Sequence, residues 1–278
     1  MANENMNIID RKQLGASTIE IVEYTKLNGA SNSQSAERLF YLGRSGVTLK
    51  MVRINLDGNR NEVLKTESGA LYYYKGNIQT SVPTSGITGR VIKSKLTGEA
   101  TFMPEYIGSG MVVLEPSFKH YKIIKMNNAS FTVAKGSYYC SLGNISVEPI
   151  TTGSTSASVL GGDGFVQTRV SGTGLVVLNI PVPENEIESY TLNNETMKID
   201  GNFFILRDSR LKYSISTSTS GLMGTLVSNE GILMTLQGTG MVWLAPTAPV
   251  YDELTWNDVS DIKNYGTGNP TNKQNLKR

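Results

Sequence analysis

The sequence predicts an all-β protein built from three repeats of about 65 residues, and two landmarks carry that prediction. The first is a glycine-x-glycine turn running into an apolar strand: Gly108-Ser109-Gly110-Met111-Val112-Val113-Leu114, Gly172-Thr173-Gly174-Leu175-Val176-Val177-Leu178 and Gly238-Thr239-Gly240-Met241-Val242-Trp243-Leu244. These lie 64 and 66 residues apart, from Gly108 to Gly172 to Gly238. The second landmark is Gly69-Ala70-Leu71-Tyr72-Tyr73-Tyr74-Lys75-Gly76-Asn77-Ile78, which returns at an offset of 67 as Gly136-Ser137-Tyr138-Tyr139-Cys140-Ser141-Leu142-Gly143-Asn144-Ile145. A looser third copy begins Gly201-Asn202-Phe203-Phe204. From landmark to turn the distances are 39, 36 and 37 residues, so two independent marks keep nearly the same separation three times. The expected architecture is packed β-sheets with internal pseudo-threefold symmetry.

Along the chain, residues 1–46 read as an amino-terminal extension with one or two strands. Ile19-Glu20-Ile21-Val22 has the alternation of a half-buried strand, a Ser/Asn-rich loop runs from Asn28 to Ser35, and Ser35 to Leu42 suits a short helix closed by Gly43. Residues 47–247 form the repeated β domain. Thr48-Leu49-Lys50-Met51 and Thr196-Met197-Lys198-Ile199 alternate polar and apolar residues, as strands with one covered face do. The apolar quartets after the glycine turns have no polar position, which predicts strands covered on both faces. Pro116, Pro181 and Pro246 follow them and remove a ladder donor where pairing should stop. Residues 248–278 read as a short helix and a disordered polar tail: Thr255-Trp256-Asn257-Asp258 resembles a capping box, Trp256, Val259 and Ile262 share one helix face, and Asn, Gly, Thr and Lys dominate from Gly266.

The charge balance predicts no strong long-range electrostatic pull, though a local cluster could still act. Twenty-six basic and 24 acidic residues give a formal net charge of +2, too little for a long-range pull toward nucleic acid or an anionic membrane. One cysteine, Cys140, rules out an intramolecular disulfide and a cysteine-built zinc site. The polar start Met1-Ala2-Asn3-Glu4-Asn5-Met6 lacks the basic-then-apolar order of a signal peptide, and no apolar run reaches the roughly 18 residues a spanning helix needs. The expectation is a cytoplasmic protein with no cofactor.

The glycine turns do not suit a phosphate loop. A dinucleotide fingerprint needs a third glycine opening a helix, and the positions in question are Val113, Val177 and Trp243, inside strands. Positive φ, or a bulge where two backbones approach closely, explains them better. His120 is the sole histidine, and Cys140 sits in an apolar strand where a small buried side chain is the ordinary role, so no nucleophile–base pair is expected. Asp163, Glu184, Glu186, Asp200 and Asp208 show no spacing that points to paired acid–base work. Two basic clusters are candidates for phosphate contact: Arg90, Lys93 and Lys95, and then Lys119, Lys122 and Lys125 with His120 and Tyr121 among them. The near-neutral total favours reading both as solvated strand faces, and nucleic acid is disfavoured as a partner.

With both landmarks in place, the chain resembles bacterial members of the altered-inheritance-of-mitochondria family, a domain of unknown function. The likeness rests on the turns and the motifs ten residues before them, Gly98-Glu99-Ala100 and Gly162-Asp163-Gly164, with Asn229-Glu230-Gly231 similarly placed before the third. It rests also on Leu192-Asn193-Asn194-Glu195-Thr196-Met197-Lys198-Ile199-Asp200-Gly201 and on Met241-Val242-Trp243-Leu244, and covers residues 47 to 247. The resemblance implies a fold similar to that of the trp RNA-binding attenuation protein, often assembled into oligomers, and supplies no catalytic or binding residues. Two functional classes follow: a non-enzymatic, homo-oligomeric scaffold or interaction module, with peripheral membrane association or an unknown protein partner; or a nucleic-acid or small-ligand binder resting on the basic clusters.

Overall fold

The computed structural model describes residues 4–59, 61–82, 103–151, 166–217 and 232–256. Its described residues form thirteen strands joined in one antiparallel sheet. The extension supplies β1 (Met6–Leu14), β2 (Ser17–Tyr24) and helix α1 (Ser33–Arg44). There follow β3 (Leu49–Asp57), β4 (Leu64–Thr66), β5 (Leu71–Ser81), β6 (Glu105–Leu114), β7 (His120–Ala134), β8 (Tyr138–Thr151), β9 (Val166–Ile180), β10 (Glu188–Asp200), β11 (Phe204–Asp208), β12 (Lys212–Thr217), β13 (Ile232–Leu244) and helix α2 (Ala248–Trp256).

The glycine pairs are not turns. Gly108 and Gly110 lie within β6, Gly172 and Gly174 within β9, Gly238 and Gly240 within β13, and the backbone passes straight through them. The close approach of two backbones is what requires them. Gly110 pairs with Gly76 of β5, and Gly174 with Gly143 of β8. At Gly172, φ is +129° and a Cβ would collide with the carbonyl oxygen of Asn144 on β8. Such a collision with backbone has no side-chain rotation to relieve it.

On the opposite flank the same glycines face a bulge. Leu56 pairs with Gly110, Met126 with Gly174 and Leu192 with Gly240. In β7 and β10 two residues then stand against one, and the register slips to Ala129–Gly172 and Glu195–Gly238. Asn128 (φ +46°) and Asn194 (φ +57°) turn the chain there, a conformation that asparagine tolerates better than most residues. Each donates its backbone N–H to the central threonine of the glycine motif: Asn128 to Thr173 Oγ1 at 2.9 Å, Asn194 to Thr239 Oγ1 at 3.0 Å. Gly58, at φ +98°, holds the matching place after Leu56.

Two lateral junctions link the three sets of strands. β4 pairs with β8, Leu64 facing Leu142 and Thr66 facing Cys140. The second half of β7 pairs with β11, Phe131 facing Asp208 and Val133 facing Leu206. The apolar quartets after the glycines lie between the resulting cores. Leu175 and Val177 join Leu64, Leu114, Ile123 and Leu142 on one face, while Val176 and Leu178 join Met126, Ile145 and Leu206 on the other. The expected two-sided cover is therefore met in β9. In β13 it is thinner, since Val242 is buried while Met241, Trp243 and Leu244 are half-buried. The strands end at Leu114, Ile180 and Leu244, just before their prolines.

The amino-terminal residues extend this sheet. β2 pairs with β3 from Thr18–Asn55 to Tyr24–Leu49, and Ile19 and Ile21 enter the first core. Beside them the buried Glu20 carboxylate meets Arg53 Nε at 2.7 Å and Arg11 Nε at 3.5 Å, so its burial is compensated by charge. The two helices differ from expectation. α1 starts at Ser33 behind an Asn32–Ser35 capping box and runs through Gly43, and the residue of positive φ that follows it is Gly46. α2 begins at Ala248, so Thr255 falls in its last turn instead of capping its start; Val259, Ile262 and the polar tail lie outside the described residues.

The repeated glycines allow a controlled comparison. Gly172 and Gly238 hold matching positions with φ of +129° and +127°, but a Cβ at Gly238 would only approach Leu211 Cδ2, at 3.6 Å. Both alanine substitutions incur left-handed strain of about 1–3 kcal/mol, and only Gly172→Ala adds a backbone collision. Urea unfolding should show Gly172→Ala losing at least about 2 kcal/mol more than Gly238→Ala; equal losses would remove the close approach as the reason for the motif.

Candidate interaction surface

The basic cluster on β7 is divided by the pleat. Alternate side chains of a strand point to opposite faces, so Lys122 and Lys125 cannot share one. Lys122 forms an ion pair with Glu184, and Lys125 is exposed on the other side. Lys119 precedes the strand in a turn where its N–H donates to Ser117 Oγ at 3.2 Å. Arg90, Lys93 and Lys95 lie outside the described residues. The structure thus distributes the second cluster where the sequence suggests one patch.

His120 and Cys140 are also kept apart. His120 pairs with Ile180 on one side of β9, and Cys140 with Val177 on the other. Two strand spacings, about 10 Å, separate them before the offset along the strands is added. Cys140 is wholly buried, and burial pushes its thiol well above the ordinary range. Around it, Tyr138 hydroxyl contacts Ser141 Oγ at 2.9 Å, and the Tyr121 and Tyr139 rings lie 4.9 Å apart. Burial raises the hydroxyl pKa of all three tyrosines, so these groups pack and hydrogen-bond in their neutral forms. Among the described residues no three His, Cys, Asp or Glu side chains gather as a metal site.

The exposed tyrosines of β5 form the most unusual surface. Tyr72, Tyr73 and Tyr74 are 60%, 41% and 45% exposed, whereas their counterparts by register, Tyr139, Cys140 and Ser141 on β8, are 5%, 0% and 1% exposed. The cause is a neighbour: β8 is covered by β4, and among the described residues β5 pairs only with β6. These tyrosines belong to the second landmark of the sequence, and neighbouring strands decide which copy of it is covered. Tyr24 at the end of β2 lies close enough to Tyr72 and Tyr73 for them to raise its pKa further, after burial.

Next to Tyr24, α1 lies over an open groove of about 570 Å³ lined by Tyr24, Leu27, Leu39, Leu42, Val47 and Phe118. None of the helix's residues is buried, and Phe40 and Tyr41 face outward at a ring separation of 5.6 Å. An exposed aromatic surface of this kind costs solvation free energy in an isolated molecule. No helix among the described residues is long and apolar enough to cross a membrane.

Comparison with known proteins adds the following. A family model described as Mitochondrial biogenesis AIM24 matches residues 44–247, which include the three glycine motifs. No curated protein matches the chain. The crystal structure of a Streptococcus pyogenes protein is similar over 74% of this chain and 93% of that one, with a TM-score of 0.57 at 19% identity, a likeness of fold.

The half-buried His120 supplies a pH test. Burial first, then the charge of Lys50, hold its pKa below the ordinary 6.5, against an opposing pull from Glu186. The unfolded chain then takes up a proton that the folded chain refuses, so stability is complete above the ordinary value and falls as pH drops below it. His120→Gln should flatten the dependence of Tm on pH between about pH 8 and 5 relative to the parent protein. An unchanged slope would show that His120 is not held neutral by the fold.

Proposed function

This chain belongs to the Mitochondrial biogenesis AIM24 family, and from that membership we propose that it is a non-enzymatic, homo-oligomeric β protein serving as a scaffold or interaction module. One observation carries the reading: β5, eleven residues long and paired on one side alone among the described residues, presents three consecutive tyrosines to solvent in the position that β4 covers on β8. The chemistry-bearing residues point the same way. The sole cysteine is buried and distant from the sole histidine, Lys122 is neutralised by Glu184, and the remaining lysines of that cluster do not converge.

An exposed aromatic edge of this length is a template for pairing with another chain, and a second copy of this chain supplies a specific occupant for it. Large side chains buried there would each contribute about 1.5–3 kcal/mol. Multi-angle light scattering of the purified full chain should give a mass of at least twice 30.3 kDa. A mass of one chain across the working concentration range would defeat the reading.

A further inference from the structure

The register of the two lateral junctions specifies a third. Matching strands by the glycine they face, Leu64, Phe131 and Met197 are equivalent: Leu64 pairs with Tyr106, Phe131 with Val170 and Met197 with Leu236, each two residues before the first glycine of its motif. By the same rule Lys75, Leu142 and Asp208 are equivalent, since their strands align through Tyr73–Val113, Cys140–Val177 and Leu206–Trp243. The observed junctions join Leu64 to Leu142 and Phe131 to Asp208. One member of each set is left over: Met197 on β10 and Lys75 on β5.

The burial pattern agrees. Positions equivalent to Tyr72–Lys75 are buried throughout both in β8 (Tyr139 to Leu142) and in β11 (Ile205 to Asp208), and exposed only in β5. On the donor side, β10 is the last strand of the sheet and pairs only with β13 among the described residues. Its Ile199 is buried, like its equivalents Thr66 and Val133.

We propose that the outer edge of β5 is an interaction site for the second half of β10, Glu195–Asp200, from a second copy of this chain. The strands run antiparallel, with Met197 opposite Lys75, Lys198 opposite Tyr74 and Ile199 opposite Tyr73. This deepens the oligomeric reading above and rests on it. The contact is head-to-tail, so copies close into a ring or extend as a filament according to the angle at each junction. Tyr73, facing Ile199, takes the place that Cys140 and Leu206 hold in the internal junctions. The junction thus reproduces backbone pairing already present twice in the molecule.

The test is a full-length chain carrying Tyr74→Cys and Lys198→Cys, treated with a short thiol cross-linker. Directly opposed residues bring Cβ atoms to about 5 Å, within reach of such a reagent. The native Cys140 is buried and stays silent. Covalent dimers or a ladder of multiples on a denaturing gel are expected, with none from either single variant. None is expected from Thr80→Cys with Lys198→Cys, which displaces one thiol by six residues, about 20 Å along β5. A link formed only within one chain would assign β10 to its own β5 and overturn the proposal. So would an absence of cross-linking. If light scattering still shows an oligomer in that case, the register is wrong and the oligomeric reading survives; a single-chain mass ends both.

Discussion

The close approach of paired backbones at the glycine motifs is the constraint on which the rest of the structure depends. In β9, Gly174 faces Gly143 on one side and Met126, just before the bulge, on the other, so three strands converge where a Cβ on Gly174 would strike the Leu142 carbonyl oxygen. Only with both neighbours drawn in can the next four residues be apolar on both faces and divide between two cores. A methyl group at the crossing would push β8 away and open the ladder where Leu142, Leu175 and Leu178 are packed. The pairing geometry and the hydrophobic burial are therefore one device.

The bulge gives the central residue of the motif its purpose. Thr173 and Thr239 receive the N–H of an asparagine in left-handed conformation, so an otherwise orphaned donor is satisfied where the register slips. The third set of strands departs from the other two at the crossing. β11 and β12 are separated at Ser209–Leu211, and Arg210 grips Asp208 through several hydrogen bonds that hold its carboxyl below the usual range. There Gly240 meets the side chain of Asp208 where Gly174 meets backbone. The looser sequence match of the third landmark, around Gly201, has this physical counterpart.

Much of the fold was legible because its constraints are local. Glycine pairs, apolar quartets and terminating prolines each act within a few residues, so β6, β9 and β13 could be placed and bounded from sequence. The bulges were legible in principle, since Asp57-Gly58, Asn127-Asn128 and Asn193-Asn194 follow an apolar residue at matching points, a signal visible only once the facing glycine is known. The helix ends were misplaced. Gly43 does not close α1 because the positive-φ residue that follows the helix is Gly46, and Thr255 begins nothing because Thr247 and Tyr251 both donate to Glu186 and set the start of α2 earlier.

The sequence by itself determined the β class and the positions where backbones must touch, because those follow from which side chains are missing. Only the tertiary structure decided which copies are covered. Tyr72-Tyr73-Tyr74 and Tyr139-Cys140-Ser141 hold the same place in their landmarks, yet one is open and the other buried, because a strand's exposure depends on the strand beside it. The basic cluster of β7 divides for the same reason: pleat direction and the reach of Glu184 are properties of the folded sheet. Lateral pairing is non-local, so no spacing within the chain encodes it.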